Sequence, residues 1–555
     1  MNSPFDYWSK LMPDCCRWLA SRRFWLVLTW LVALFGLGER FRHGRAMFAN
    51  EEKYTVEQRR PTDGRGHLQI DFAGQWLMGR LIATGNGRSL YDRNVQWQIV
   101  RAGFPRENEP SYLRDGVFPY SRFPGVGPDD QTDHDAESVM SWTMGKDDPA
   151  WPQIGSAVSL LFLSQHPLVV ATILPATYEV LTPELIGNVN RPTIGGPLYP
   201  PILGVLYSPL GLFEKPQDAY FVAQIIMVLA IAVAGKGVSD LSRGAIWWPV
   251  AIIVLLLFPG CRSSIDLCQN ATLTTCIVIW GWALAARGRD VSGGAVLGLL
   301  AFKPIWAIAF LLAPILMRKW RMSGSMAAVG LLQIVLTLPF VGVHSWQNWI
   351  AVGNEASECY RVNQNWIELS RDLGGMVRRP LLDFKKPEAE RANPTADRLA
   401  AIALVSVIGM TAVVTVTCGG RSPTGLGAGF LMLGCYLGCY RFMYYDALLA
   451  TVGFAVLFAD SSWARRPGDD WFRRCFRPFT TIAFVVLLLL LLCENVVTTW
   501  GIKGRISMEK FGEKDKPLGM NWEIGFRWAW DTALILGLWM WLGAKLVARK
   551  IAALV

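Results

Sequence analysis

Long apolar runs without a charge, such as TIAFVVLLLLLLC at 481–493, recur along this chain and constrain it more than any other feature. A helix that crosses a bilayer needs roughly 20 apolar residues. With 52% hydrophobic and 18% charged residues, a chain of 555 residues is placed among polytopic membrane proteins rather than soluble multidomain ones. The expected fold class is therefore all-α and membrane-embedded.

The charges are arranged accordingly. A net charge of +10 could suggest nucleic acid, but Lys and Arg sit at the ends of the apolar runs, which is the membrane-orientation pattern, and no nucleic-acid partner is expected. Cys261, Cys268, Cys276, Cys418, Cys435, Cys439 and Cys493 lie in or beside those runs without a CxxC pair and read as small buried hydrophobes. Phe24 to Leu37 follows Arg17, Arg22 and Arg23 and lacks a small-residue cleavage site, so it reads as a first transmembrane helix rather than a signal peptide.

Taking Lys/Arg excess as the cytoplasmic marker gives a consistent order. Residues 1–23 form a cytoplasmic N-terminus, 24–38 the first transmembrane helix, and 39–216 a long outer segment. Within it, Asn94 to Asn190 is loop-like, with two short interfacial helices expected over Ala157 to Leu174. Transmembrane helices follow over 217–343, a second outer loop over 344–398, and C-terminal transmembrane helices over 399–555. Residues 293–316 are the exception: basic residues flank both ends, while Lys303 and Pro304 interrupt the middle. A re-entrant hairpin with Lys303 near its tip satisfies both constraints, because broken backbone at membrane depth is tolerated where it lines a protein cavity. About ten spans and one hairpin result, with both termini cytoplasmic.

This topology gathers Asp71, Tyr199, Asp266, Gln269, Asn270, Lys303, Asn363, Gln364, Asn365, Arg371, Arg441 and Asp446 on the outer side. Ionisable groups at a membrane edge are functional candidates. Asp71 opens a segment of helical period that ends in a Gly-rich turn and Leu90, Tyr91, Asp92. Five His show no HxxH or HExxH spacing, so zinc catalysis and a divalent cofactor are not expected. P-loop and Gly-x-Ser-x-Gly patterns are absent too. A sugar carried on a lipid phosphate fits what remains. Its leaving group needs no strong acid, only a base for the acceptor hydroxyl and cations for the growing phosphate charge. Asparagine and glutamine supply directional hydrogen bonds to a sugar, and an outer Trp such as Trp346 or Trp366 can stack on one.

Several boxes resemble the polyprenyl-phosphate-mannose-dependent mannosyltransferases of the GT-C superfamily, relatives of the phosphatidylinositol-mannoside mannosyltransferase. They are DFAGQW…GNGRSLYD (Asp71 to Asp92), LYPPILGVLYSPLGLF (Leu198 to Phe213), Cys268 to Arg321 with its Gln-Asn start and Lys303 break, NQNWIELSRDL (Asn363 to Leu373) and RFMYYDALLA (Arg441 to Ala450). The resemblance implies a GT-C bundle with Asp71 as the base that deprotonates the acceptor. It also implies a polyprenyl-phosphate sugar donor, mannose by family default, and a glycolipid or glycan acceptor. Lys303, Arg371 and Arg441 are the candidates for the donor phosphate, and Tyr199, Gln269, Asn270, Asn363, Asn365 and Asp446 for the sugar or acceptor. The sequence departs from the pattern in Pro304, in Tyr444-Tyr445-Asp446 where many relatives carry His, and in the long spacing between the first two boxes. The expected activity is metal-independent inverting transfer on the outer face of the cytoplasmic membrane. The alternatives are a flippase for a lipid-linked sugar and a non-catalytic scaffold of the same fold.

Overall fold

The computed structural model describes residues 21–48, 65–92, 95–96, 98–99, 198–214, 216–386, 390–419, 422–459, 478–496 and 529–555. The interfacial helices expected over 157–174 lie outside these residues. Among the described residues the chain is helical, and Ser370 and Met443 form one isolated antiparallel bridge.

In chain order, α1 (Arg22–Phe48) and α2 (Arg65–Ala83) precede the short α3 (Pro201–Tyr207). Then come α4 (Pro216–Leu241), α5 (Trp248–Leu257), α6 (Cys261–Asp266) and α7 (Ala271–Ala286). Next are α8 (Asp290–Gly298), α9 (Pro304–Leu316), α10 (Trp320–Val362), α11 (Gln364–Leu369) and α12 (Leu373–Leu381). The remainder holds α13 (Pro394–Val414), α14 (Leu426–Leu437), α15 (Thr451–Phe458), α16 (Pro478–Val496) and α17 (Trp530–Ala552).

Five of these, α1, α4, α10, α13 and α17, are long and apolar enough to cross a membrane. Shorter apolar helices fill the space between them and coincide with the other apolar runs of the sequence. Only 6% of the α1 window and 17% of the α10 window is buried. Their bare faces, Leu31, Leu34 and Phe35 on one and Leu331, Leu332, Val335 and Leu336 on the other, would be untenable in water and suit lipid. The chain is an all-α polytopic membrane protein.

Contacts along the helices give their directions. α4 and α7 run parallel: Thr272 meets Met227, Trp280 donates to the Val233 carbonyl, and Arg287 pairs with Asp240. α13 and α14 run antiparallel, with Gly434 on Thr411 and Gly438 on Ile408. Arg243, Arg287, Arg289, Arg318 and Arg321 therefore collect at one end of the bundle, with Lys545, Arg549 and Lys550 at the matching end of α17. The loops on either side of α6, the Lys303 break and the start of α17 collect at the other.

At that other end the chain doubles back. Gly294 of α8 lies against Met322 and Gly298 against Met326 and Val329, so α8 runs alongside the first half of α10 in the same direction. α9 must return between them, and Asp290 meets Lys319 at 2.5 Å where the two legs end. Lys303 sits at the bend with φ −134° and ψ 75°, and Pro304 opens α9, where a missing N–H is harmless.

The second outer loop expected over 344–398 is largely helical: α10 runs on to Val362, and α11, α12 and the start of α13 occupy much of the remainder. The apolar and polar parts of α10 are separated by a break at Gly342, with φ 69° and ψ 173°, a conformation that glycine adopts without a Cβ clash. Ser345 then fixes the C-terminal half by hydrogen bonding to the carbonyls of Gly87 and Arg88.

α2 is docked by its glycine face. A Cβ at Gly79 would collide with the Tyr207 carbonyl, and one at Gly211 with the Gly79 backbone. Trp76 Nε1 donates to the Phe213 carbonyl at 3.0 Å and Arg80 Nη1 to that of Gly211 at 3.0 Å. Gly79→Ala should therefore lower stability by about 1–3 kcal/mol through overpacking. Thermal unfolding in detergent checks this, and an unchanged midpoint would show that α2 can move away without loss.

Candidate functional site

The site end is assembled from the turn after α2, the Tyr-Pro-Pro segment, the α6–α7 junction, the Lys303 bend and the segments around α11, α12 and residue 441. Pro200 and Pro201 fix an extended entry into α3. Tyr91 Oη donates to the Tyr199 carbonyl at 2.6 Å and Trp349 Nε1 to the Leu198 carbonyl at 3.1 Å. Anchored in this way, Tyr199 donates its own hydroxyl to Gln269 Oε1 at 2.6 Å. Three sequence boxes that are far apart in the chain thus meet through one hydrogen-bonded series.

Gln269 is held in turn, because Ser264 Oγ donates to its carbonyl at 2.6 Å. Its neighbour Asn270 precedes α7 and is 0% exposed, yet both ends of its amide lack a hydrogen-bond partner among the described residues. A buried amide left unmatched costs about 1–3 kcal/mol, so this one is suited to a polar ligand.

Asp71 stands two turns inside α2, which begins at Arg65. The expectation that Asp71 opens the helix is therefore corrected: the polar stretch Arg65-Gly66-His67 is already helical. The Asp71 side chain lies outside the described residues. Position 71 is one turn before Gln75 on the same face, and the buried Gln75 Nε2 makes a long hydrogen bond of 3.4 Å to the Cys268 carbonyl, beside Gln269.

The three candidate cations differ in what engages them. Lys303, 6% exposed, pairs with Asp446 Oδ1 at 2.5 Å, and Asp446 itself is 2% exposed. The Lys303 ammonium also lies 5.6 Å from the centre of the Tyr445 ring. Arg371 is buried against Asp531 with Nε–Oδ2 at 3.1 Å, and its Nη1 donates to the carbonyls of Glu368 and Ser370. Its backbone joins the same knot, donating to the Phe442 carbonyl and accepting from Thr532 Oγ1.

Arg441 makes no ion pair among the described residues. Its guanidinium lies 3.8 Å from the centre of the Tyr360 ring and 5.0 Å from that of Tyr440, and Tyr360 is itself packed on Trp366 at 3.9 Å. Desolvation lowers the pKa of this group, while Tyr440, Asp372 and Tyr360 raise it. Its Nη2 also reaches the Tyr440 hydroxyl at 3.5 Å, and the remaining donors of the fork suit a further partner.

The Asn363 carboxamide caps α11, accepting from the Trp366 N–H at 3.1 Å. The side chains of Gln364 and Asn365 lie outside the described residues. Trp366 packs on Tyr360, and Trp346 meets Trp349 edge-on. Among the described residues no three His, Cys, Asp or Glu side chains gather as a metal-ligand set.

Two members of the site went unread in the sequence. Asp531 opens the last apolar run, a faint signal, and its partner is 160 positions away. Tyr91 belonged to a recognised turn, but nothing local announces that its hydroxyl reaches Tyr199.

Residues 198–458 match the model of glycosyltransferase family 87. No curated protein and no solved structure matches the chain. The matched segment begins at the Tyr-Pro-Pro box and ends after the Asp446 helix, so it contains all three cations and the Gln269-Asn270 pair. With the apolar helices, this match supports a membrane glycosyltransferase.

Proposed function

We propose that the protein transfers a hexose from a polyprenyl-phosphate sugar to a hydroxyl of a glycolipid or glycan acceptor, with mannose as the default sugar. The reaction is a metal-independent inverting displacement at the bundle end opposite the basic residues, on the outer face of the cytoplasmic membrane. Asp71 takes the acceptor proton, while the electron pair of the breaking bond leaves with the lipid phosphate. Asn270, Gln269 and Tyr199 orient sugar hydroxyls.

The observation that carries this reading is the state of Arg441. Lys303 and Arg371 are engaged by buried carboxylates, whereas Arg441 lies over the Tyr360 ring and beside Tyr440 and makes no ion pair among the described residues. A planar cation held in this way suits a phosphate that arrives and leaves, because stacking fixes its orientation without consuming its charge. Arg441→Ala should raise the KM for the donor about 10–100-fold, the worth of one charge-assisted hydrogen bond. Arg441→Lys should recover little, having lost the plane. A donor KM unchanged in both variants would remove Arg441 from the phosphate site.

The whole reading is tested by incubating the purified full-length protein with a membrane glycolipid extract and one of two donor classes, polyprenyl-phosphate mannose or nucleotide sugars. Transfer from the lipid phosphate, undiminished by EDTA, is the expected result. Transfer from nucleotide sugars alone would overturn the donor assignment, and abolition by EDTA the metal-free chemistry. Movement of lipid-linked sugar across a proteoliposome membrane without transfer would establish a flippase instead.

A further inference from the structure

The basic end carries a cavity of its own. It measures about 240 Å³ and lies between the turn that ends α4 and the end of α7, lined by Ser239, Asp240, Arg243, Gly244, Ala283 and Arg287. Both helices finish here, and helix C-termini carry partial negative charge, so cations beside them have an ordinary structural use. Lys236 and Arg287 meet that description, since both pair with Asp240.

Arg243 does not. It is exposed and makes no ion pair among the described residues. Its backbone has φ 54°, a left-handed conformation that costs a non-glycine residue about 1–2 kcal/mol. The surrounding turn imposes it: the Gly244 N–H donates to the Ser239 carbonyl at 2.8 Å, Ser242 Oγ to the same carbonyl at 3.0 Å, and the Ile246 N–H to Ser242 Oγ at 3.0 Å. This is the αL turn that commonly closes a helix, and it fixes where the Arg243 side chain leaves the backbone.

The level of the cavity identifies its ligand. Trp247 and Trp248 lie just beyond the turn, and the Arg22 guanidinium stacks 5.5 Å from the centre of the Trp247 ring. Tryptophan and arginine concentrate at the boundary between acyl chains and headgroups. A basic pocket between helices at that boundary is suited to anionic lipid headgroups.

We propose that this cavity binds the phosphate headgroup of an acidic phospholipid, with Arg243 as the principal ligand and Arg287 sharing its charge between Asp240 and the lipid. The site is independent of the transfer reaction at the other end.

Titration of the full-length protein in detergent, read by native mass spectrometry, tests it with phosphatidylglycerol and phosphatidylcholine as probes. Phosphatidylglycerol should bind in preference, and Arg243→Ala should weaken its binding about fivefold, the effect of one basic residue at a membrane surface. Because Arg243 makes no ion pair among the described residues, the thermal midpoint of that variant without added lipid should match wild type. Arg243→Ala/Arg287→Gln should weaken phosphatidylglycerol binding further, and Lys550→Ala, at the same end and outside the cavity, should not change it. Equal binding of the two lipids, or an equal loss with Lys550→Ala, would overturn the site. Competition by millimolar inorganic phosphate would overturn the lipid assignment and leave a free-anion site.

Discussion

Asp71→Asn should leave a chain that folds and binds donor yet transfers sugar roughly 10²–10⁴-fold more slowly, the usual share of a positioned general base. Asparagine keeps the shape and polarity of the side chain and removes only its capacity to accept the acceptor proton. The loss should therefore fall on kcat, with the donor dissociation constant unchanged. A base must also stand within hydrogen-bond reach of the proton it removes, so Asp71→Glu, one methylene longer, should fall between the two. Wild-type kcat in a folded Asp71→Asn would sink the assignment. A raised donor dissociation constant with normal kcat would move Asp71 from proton transfer to binding.

The second large effect concerns Lys303 and Asp446, both almost fully buried and 2.5 Å apart. Removing one partner of a buried pair strands the other charge, at a cost of about 3–5 kcal/mol, whereas replacing both by apolar residues of similar size is often neutral. Lys303→Met should thus unfold far below wild type in detergent, and Lys303→Met/Asp446→Leu should regain most of the lost stability. The double variant separates structure from chemistry. If Lys303 meets the donor phosphate, with Asp446 releasing it, the restored protein stays inactive. Full transfer by the double variant would make the pair a structural strut.

The same pair shows how far the sequence could be read. The Lys303-Pro304 break was visible because it interrupts an apolar run, and lipid enforces apolar periodicity strongly. Its consequence, a chain that doubles back at Lys303, could be argued from the basic residues at both ends. The partner could not. Asp446 lies 143 positions away and Asp531 lies 160 from Arg371, and local sequence holds no record of which charges fold together.

Helix limits failed for a related reason. Arg65 to His67 and Ser345 to Val362 are polar enough to suggest loops, yet they are helical. Outside the apolar layer the hydrophobic signal fades while helix formation does not, and helix ends are the least determined part of such a reading. Asn363 stood in the sequence as a candidate sugar or acceptor ligand. In the structure it is seen capping α11.

The doubled-back segment also acts as a depth gauge. Its two legs, Asp290–Phe302 and α9, are closed at their base by Asp290 and Lys319, and at 1.5 Å per residue the 13 residues of α9 reach about 20 Å. A bilayer's hydrocarbon layer is about 30 Å thick. With its base at one polar boundary, the segment would hold Lys303 short of the other, where the buried counter-charge of Asp446 is what permits an ammonium. A substrate tethered to a lipid would meet this chemistry by lateral diffusion and a modest sinking of its phosphate. A water-borne sugar nucleotide would have to descend through the protein to reach the same atoms.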